Sequence, residues 1–141
     1  MAAYYTLHIA GLTRELKICP ISEKLDIAAF ILFSDVELTE ACARELAKRV
    51  PECDYILTAE SKGIPLAYEM SRQLKVPYIV ARKSIKGYMT DVLSVQVKSI
   101  TTAAVQTLYL DGEKAADPTA VLAAGMLEKG ICLLYTSPSP R

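Results

Sequence analysis

Residues 54–81, DYILTAESKGIPLAYEMSRQLKVPYIVA, decide the fold of this chain. The stretch begins and ends with short apolar runs, residues 54–59 and 77–81, which are typical of strands buried in a parallel sheet. Between them a helical pattern opens at Gly63, and Pro65 suits the first turn of a helix, where one N–H has no intrahelical partner. The order strand, helix, strand predicts a right-handed βαβ unit in a parallel sheet flanked by helices.

On the N-terminal side of this unit, the sequence predicts a strand and a helix. Residues 4–11 alternate loosely and are rich in Tyr, Thr and Ile, which predicts a strand that ends at Gly11. Residues 37–50 keep a helical spacing of apolar side chains, with Ser34 or Asp35 as the cap and Pro51 as the stop.

On the C-terminal side, apolar and polar residues alternate over residues 93–98, and a second extended stretch covers residues 103–110. This pattern predicts a solvent-washed antiparallel hairpin over residues 93–110. We therefore expect an α/β fold with a parallel sheet and an antiparallel hairpin beside it.

The composition bounds the size and class of the protein. The chain has 141 residues, a length typical of one domain, and 52% of them are hydrophobic, so it can bury a core. Its 16 Lys and Arg residues balance 16 Asp and Glu residues. This balance argues against a general nucleic-acid-coating protein, which needs a basic excess, but not against a small phosphorylated ligand.

Targeting signals and metal-binding motifs are not evident in the sequence. The N-terminus lacks the basic start and apolar run of a secretory signal, and no stretch is apolar enough to span a membrane, so we expect a cytoplasmic protein. The four cysteines contain no CxxC pair, and His8 is the only histidine, which argues against a zinc site or a disulfide framework. Free thiols are expected at Cys19, Cys42, Cys53 and Cys132.

A candidate anion site lies in residues 58–63, where the first strand of the unit gives way to its helix. In an open α/β sheet, ligands bind beyond the carboxyl ends of the strands, and a helix N-terminus there offers unpaired N–H groups and a positive dipole end. Ser61 supplies a hydroxyl and a backbone donor, and Lys62 adds positive charge. Gly63 allows a close approach of the backbone or a positive φ.

A second set of cations, Arg82, Lys83 and Lys86, follows the next predicted strand. Neighbouring parallel strands end at the same edge of a sheet, so the two sets are expected to meet there, which favours a phosphorylated ligand. The alternative is that these three residues only solvate a loop, and spacing alone leaves both interpretations open.

Together these segments resemble the type I phosphoribosyltransferases, most closely the adenine and other purine phosphoribosyltransferases. The resemblance is carried by AESKGIPLAYEMSRQLKVPYIVARKSIKGY at residues 59–88, and more weakly by GLTREL (11–16), KSITT (98–102) and LYLDG (108–112). It runs from about residue 4 to residue 117. It implies a Rossmann-like parallel sheet with a flexible antiparallel hairpin that closes over the site as a lid.

The resemblance also implies an activity, the transfer of a 5-phosphoribosyl group from phosphoribosyl diphosphate to a purine, with adenine favoured, in purine salvage. The lid would exclude water from the reacting centre, and Mg²⁺ would be carried by the diphosphate. Residues 18–21 would help form a hood over the base, and the complete protein would be a homodimer. The diphosphate would lie against Glu60, Ser61, Lys62, Gly63, Arg82, Lys83 and Lys86.

Gln96 falls where relatives carry a lid glutamate that assists proton transfer at the purine. Glutamine forms hydrogen bonds but exchanges no proton, so acid–base help would be lost at this position. The alternative is that Gln96 is an outward-facing strand residue without a catalytic role.

The sequence departs from this family after Asp117. The family signature, a hydrophobic strand that ends in two acidic residues before a Thr-Gly-rich loop for the ribose phosphate, is missing there. Residues 118–125 resemble the strand beyond that loop, so we expect an internal loss near residues 117–118. We therefore predict a partial phosphoribosyltransferase domain over residues 1–131, inactive as this chain.

The last ten residues, CLLYTSPSPR at 132–141, resemble a translated transposase-end sequencing adapter. We expect a non-native tail here and leave it out of the fold prediction. The alternative is a native tail rich in Pro and Ser.

Two other functions fit the same residues. The first is a non-catalytic effector-binding domain that senses a purine or a ribose phosphate, for which a preceding DNA-binding helix pair would be the sign. The second is an unrelated α/β sugar-phosphate binder, which would be favoured if Lys62 and Arg82 lay at opposite edges of the sheet.

Overall fold

The computed structural model of the chain describes residues 3–98 and 105–113. The described elements are, in chain order, β1 (Tyr4–Ile9), β2 (Leu12–Ser22), β3 (Leu25–Ala28), α1 (Val36–Ala47), β4 (Ile56–Ala59), α2 (Ile64–Leu74), β5 (Tyr78–Ala81), β6 (Leu93–Lys98) and β7 (Val105–Leu110). The parallel and antiparallel strands with two helices confirm the predicted α/β class. Residues 114–141, with the expected internal loss and the expected non-native tail, lie outside the described residues.

The central unit is the predicted βαβ. Strands β4 and β5 pair in parallel, from Ile56 opposite Tyr78 to Ala59 opposite Ala81, and α2 connects them. Helix α2 carries proline in its first turn, as the sequence predicts. It ends at Lys75, whose left-handed backbone, with φ 59°, stops the helix before the second strand begins.

Side chains of the two helices form most of the hydrophobic core between them and β4. Helix α1 packs against α2, and α2 packs against both β4 and β5. Leu38 on α1 and Met70 on α2 are each 1% exposed and are the largest fully buried side chains among the described residues. Ala43 and Ala67 belong to the same cluster and are fully buried, and such small side chains allow the helix axes to come close.

An antiparallel sheet, β1-β2-β3, precedes the helices. The β1–β2 turn places Ala10 at φ 51° and Gly11 at φ 78°, the two positive φ angles that a tight type I′ hairpin turn requires. The predicted strand at residues 4–11 is thus confirmed, and it ends at Ile9. The long strand β2 and the short strand β3 were not predicted from the sequence.

Helix α1 begins at Asp35, one of the two predicted caps. The Asp35 carboxylate accepts a hydrogen bond from the Leu38 N–H at 3.0 Å. Arg14, on β2, donates to Asp35 at 2.7 and 3.0 Å and to Glu37 at 2.8 Å. This guanidinium holds the pKa of Asp35 below its usual value of 3.8. Asp35 therefore both caps α1 and attaches it to the antiparallel sheet.

Asp35→Ala is expected to lower the free energy of unfolding at pH 7 by about 1–2 kcal/mol, the usual cost of losing a helix cap. Because the folded-state pKa of Asp35 is depressed, its contribution is present above pH 3.8 and is lost as the pH falls through the folded-state pKa. Urea unfolding at pH 7 and at acid pH measures both effects, with the exposed Asp26→Ala as the control. A cost that stays the same at both pH values would contradict the ionic part of this assignment.

The predicted hairpin is also confirmed. Strands β6 and β7 pair antiparallel, with Leu93 opposite Leu110. Strand β7 also lies beside the end of β5, because Arg82 and Tyr109 form an isolated antiparallel bridge with two backbone hydrogen bonds of 2.8 Å. Leu108 and Leu110 are consequently buried, at 5% and 2% exposure, so the inner side of β7 is core rather than water-facing.

The structure also bears on two expectations from the sequence, that no segment spans a membrane and that the cysteines are free. Within residues 3–98 and 105–113, no helix is long and apolar enough to cross a membrane. Cys19, Cys42 and Cys53 are free thiols, as predicted. Cys132 lies outside the described residues.

Candidate anion-binding site

The two sets of candidate residues meet at one edge of the parallel sheet. Glu60 directly follows β4, and Arg82 directly follows β5. The Glu60 N–H donates to the carbonyl of Ala81 at 2.9 Å, so the strand ends lie side by side. Because Lys62 and Arg82 follow the carboxyl ends of paired parallel strands, the unrelated sugar-phosphate binder loses the condition that would favour it.

Glu60 links the two sides of this site. Its carboxylate accepts a hydrogen bond from the Lys83 N–H at 2.9 Å and lies 3.4 Å from Nε of Arg82. The Lys83 N–H is the main cause that holds the pKa of Glu60 below its usual value of 4.5. Burial, the next largest cause, raises this pKa, and the charges of Arg82, Lys86 and Lys83 lower it further. Glu60 is therefore ionised at neutral pH.

Gly63 caps α2 without a side-chain hydrogen bond, which leaves the first N–H groups of the helix without a capping side chain. Ser61 and Lys62 precede it and are exposed, and the Glu60–Ser61 peptide is cis. The φ of Gly63 is −77°, so of the two predicted reasons for a glycine here, the positive φ does not apply. The glycine is needed for close packing instead, because a Cβ at this position would overlap Oγ1 of the buried Thr58.

The basic residues after β5 have different environments. The Arg82 side chain is 30% exposed and faces Glu60, so it does more than solvate a loop. Lys83 is exposed, and only its backbone N–H is tied to Glu60 in the described contacts. The Lys86 ammonium donates to the Ser84 hydroxyl at 2.7 Å. Cations thus border one edge of the sheet beside the N-terminus of α2, an arrangement that suits a small, multiply charged anion.

Comparisons with known proteins agree with this geometry. No family model matches the chain. Hypoxanthine/guanine phosphoribosyltransferases from two strains of Methanococcus maripaludis are 31% identical over 119 residues, covering 79% of this chain and 63% of theirs. The purine biosynthesis transcriptional repressor PurR of Bacillus subtilis is 36% identical over 59 residues, 42% of this chain and 21% of its own length.

Two solved structures share the fold. Adenine phosphoribosyltransferase from Thermoanaerobacter pseudethanolicus superposes with a TM-score of 0.55 at 16% identity, over 70% of this chain and 58% of that chain. The enzyme from Saccharomyces cerevisiae, in complex with an imino-altritol bisphosphate and adenine, gives 0.57 at 18% identity, over 82% and 77%. The chain thus has the fold of these two enzymes and is similar in sequence to the hypoxanthine/guanine phosphoribosyltransferases.

The predicted resemblance is thereby confirmed, and the relatives themselves are of the predicted enzyme class, since phosphoribosyltransferases are glycosyltransferases. The Methanococcus relatives act on hypoxanthine and guanine by name, and the two solved structures on adenine. The similarity is therefore to purine phosphoribosyltransferases as a group. The chain spans 63% of the length of the Methanococcus relatives.

The hairpin β6–β7 lies where the phosphoribosyltransferase lid is expected. Hydrogen bonds hold the base of this hairpin, residues 90–91 and 111–113, which we call its root. The Asp111 carboxylate accepts hydrogen bonds from the N–H groups of Thr90 at 3.2 Å and Glu113 at 3.3 Å. The Gly112 N–H donates to the Thr90 carbonyl at 2.9 Å. The sequence pattern did not indicate that Asp111 and Gly112 anchor the hairpin.

Two further candidates, Gln96 and residues 18–21, lie in described strands, and none of the described hydrogen bonds joins them to the anion site. Gln96 is exposed on β6, where it lies opposite Thr107, and its catalytic role stays a prediction. Residues 18–21, the predicted hood, form the end of β2 and pair with β3. Ile21 at the end of this segment is 41% exposed.

Proposed function

We propose that this chain carries the diphosphate-binding part and the lid of a purine phosphoribosyltransferase, acting on adenine in purine salvage. One observation supports this proposal most strongly. The loop that contains Glu60 and leads into α2 contacts the residues that follow β5, and Arg82 there is hydrogen bonded to β7 of the hairpin. The sequence similarity to hypoxanthine/guanine enzymes and the structural similarity to adenine enzymes support a purine substrate.

In the proposed reaction, a ring nitrogen of the purine forms a bond to C1 of the ribose. The bond from C1 to the diphosphate oxygen breaks, its electron pair leaves with the diphosphate, and the nitrogen releases its proton. Lys62, Arg82 and Lys83 would stabilise the negative charge that develops on the leaving group, because fixed positive groups act there without rearrangement. Closure of the hairpin would exclude water from the positively charged ribose carbon.

Mg²⁺ belongs to this proposal as a companion of the diphosphate. Within the described ranges, no group of three or more His, Cys, Asp or Glu side chains is arranged to hold a metal ion. Diphosphate oxygens are the hard ligands that Mg²⁺ prefers, so the ion would arrive with the substrate. The protein side chains then need to supply only the cations around it.

The 141-residue chain is expected to bind Mg²⁺-diphosphate saturably but not to turn over, because its sequence lacks the acidic pair and the Thr-Gly loop. For the same reason, phosphoribosyl diphosphate is expected to bind no more tightly than diphosphate alone. Calorimetric titration with each ligand, and an assay for conversion of adenine to its nucleotide, measure this. Absence of diphosphate binding would contradict the site, and nucleotide formation would contradict the inactivity.

A second candidate is a non-catalytic effector-binding domain, which the similarity to the repressor PurR favours. To decide between the enzyme and the effector-binding domain, the source DNA is first resequenced across the codons for residues 114–141. If an acidic pair and a Thr-Gly loop are found in frame, the restored chain is expected to convert adenine and phosphoribosyl diphosphate to nucleotide. A restored chain that binds phosphoribosyl diphosphate without converting it would favour the effector domain.

A further inference from the structure

Glu60 presents a contradiction at a site for a diphosphate. A carboxylate repels an anion, and this one is ionised at neutral pH because the Lys83 N–H and nearby cations favour its charged form. Yet Glu60 lies at the centre of the site, between the loop that opens α2 and the end of β5. Direct binding of the anion is therefore a poor explanation for an acidic residue here.

The contacts of Arg82 suggest another role. Nε of Arg82 is buried and makes no hydrogen bond within the described residues. It lies 3.4 Å from the Glu60 carboxylate, close enough for an ion pair but without the geometry of a hydrogen bond. The side chain as a whole is 30% exposed. One edge of the guanidinium is thus held inside the protein by Glu60 while part of the side chain remains accessible.

The backbone of Arg82 is fixed at the same time. Its N–H and its carbonyl are both hydrogen bonded to Tyr109 on β7. Glu60 also holds the next residue, Lys83, through its N–H. Backbone and side chain of Arg82 are therefore constrained from two sides, by the lid strand and by Glu60.

We propose that Glu60 is a positioning residue that orients the Arg82 guanidinium toward the leaving diphosphate, rather than a ligand of the diphosphate itself. This inference rests on the proposed function, because the anion it serves is the diphosphate. The Glu60 carboxylate then has two opposite effects on the affinity for the anion. Glu60 lowers the affinity for the anion through its own charge and raises the affinity by holding a bidentate donor in place.

The test is a double-mutant cycle with inorganic diphosphate and Mg²⁺ as the probe. Glu60→Gln keeps an oxygen that can accept the Lys83 N–H but removes the charge that holds Arg82. It is expected to weaken diphosphate binding about tenfold, equivalent to one good hydrogen bond to an anion, although a repelling charge is removed. In an Arg82→Ala background, Glu60→Gln is expected to leave binding unchanged or to strengthen it, because only the repulsion remains.

The matched control is Glu52→Gln, the same chemical change at an exposed glutamate. Circular dichroism verifies that each variant is folded. Unchanged or tighter binding by Glu60→Gln in the wild-type background would overturn the proposal. An equal weakening in the Arg82→Ala background would overturn it as well, because Glu60 would then act without Arg82.

A readout that needs no ligand separates this proposal from the proposed function. The ¹H–¹⁵N NMR signal of the Arg82 Nε–H is expected to exchange slowly with water in the wild type and faster in Glu60→Gln. If the wild type does not bind diphosphate but this signal changes, the proposed function fails and the positioning of Arg82 by Glu60 stands. If the signal is the same in both proteins, the positioning role is overturned.

Discussion

Replacing Gly112 with alanine is expected to lower the free energy of unfolding by about 3 kcal/mol, the upper end of the usual cost of overpacking. A Cβ at this position would overlap the carbonyl oxygen of Asp91 and lie 2.7 Å from its carbonyl carbon. These are backbone atoms, which cannot rotate away as a flexible side chain does. Relief therefore requires the Thr90–Asp91 segment to separate from the end of β7, and the hydrogen bond from the Gly112 N–H to Thr90 would be lost.

Gly87→Ala provides the matched control for this effect. A Cβ on Gly87 meets no atom within 4 Å, and its φ lies outside the positive range. At such a position alanine is expected to be neutral or to stabilise by about 0.4–1 kcal/mol, because it restricts the unfolded chain. Urea unfolding of both variants measures the difference. Equal stabilities would show that the root of the hairpin adjusts freely and does not anchor the lid.

The local patterns of the sequence predicted the central elements well. The apolar runs before and after α2 each contain few residues, carry no charge within the strand and end at a polar residue, so both strands were visible. The cap of α1 was limited to Ser34 or Asp35, because capping depends on neighbouring residues only, and the structure selects Asp35. The meeting of Glu60 and Arg82 then followed from the rule that parallel strands end at one edge of a sheet.

Strand β2 was missed because one charged residue breaks its pattern. Leu12, Leu16 and Ile18 lie on the less exposed side of the strand, and Arg14 occupies the same side. Arg14 is there because it pairs with Asp35 at the start of α1. A partner 21 residues away in sequence cannot be read from a local alternation of apolar and polar residues. The inward face of β7 was missed for the same reason, since its neighbour is the end of β5.

The sequence also could not predict the direction in which the Glu60 side chain points. The residue types in the loop predicted an anion site, and Glu60 was included in it by its position next to Ser61. Only the structure shows that its carboxylate faces the Lys83 N–H and Arg82. In the proposed function the anion-binding groups are the cations, and the acidic residue supports them.

Replacing Arg82 with alanine is expected to weaken binding of Mg²⁺-diphosphate roughly 10- to 150-fold, since hydrogen bonds to charged groups contribute about 1.5–3 kcal/mol. The loss is large for two reasons. The guanidinium is partly buried, where charge is poorly screened, and its removal leaves Glu60 without the opposing charge of its neighbour. Calorimetric titration at fixed ionic strength measures the change, and Arg49→Ala, at an exposed arginine, is the matched control.

Lys62→Ala is expected to show a smaller loss, about tenfold or less, because Lys62 is exposed and its charge is screened by salt. Raising the salt concentration should therefore reduce the effect of Lys62→Ala more than the effect of Arg82→Ala. Unchanged affinity in both variants would place the anion elsewhere. A salt dependence that is the same for both would contradict a binding role for Arg82 from its partly buried position.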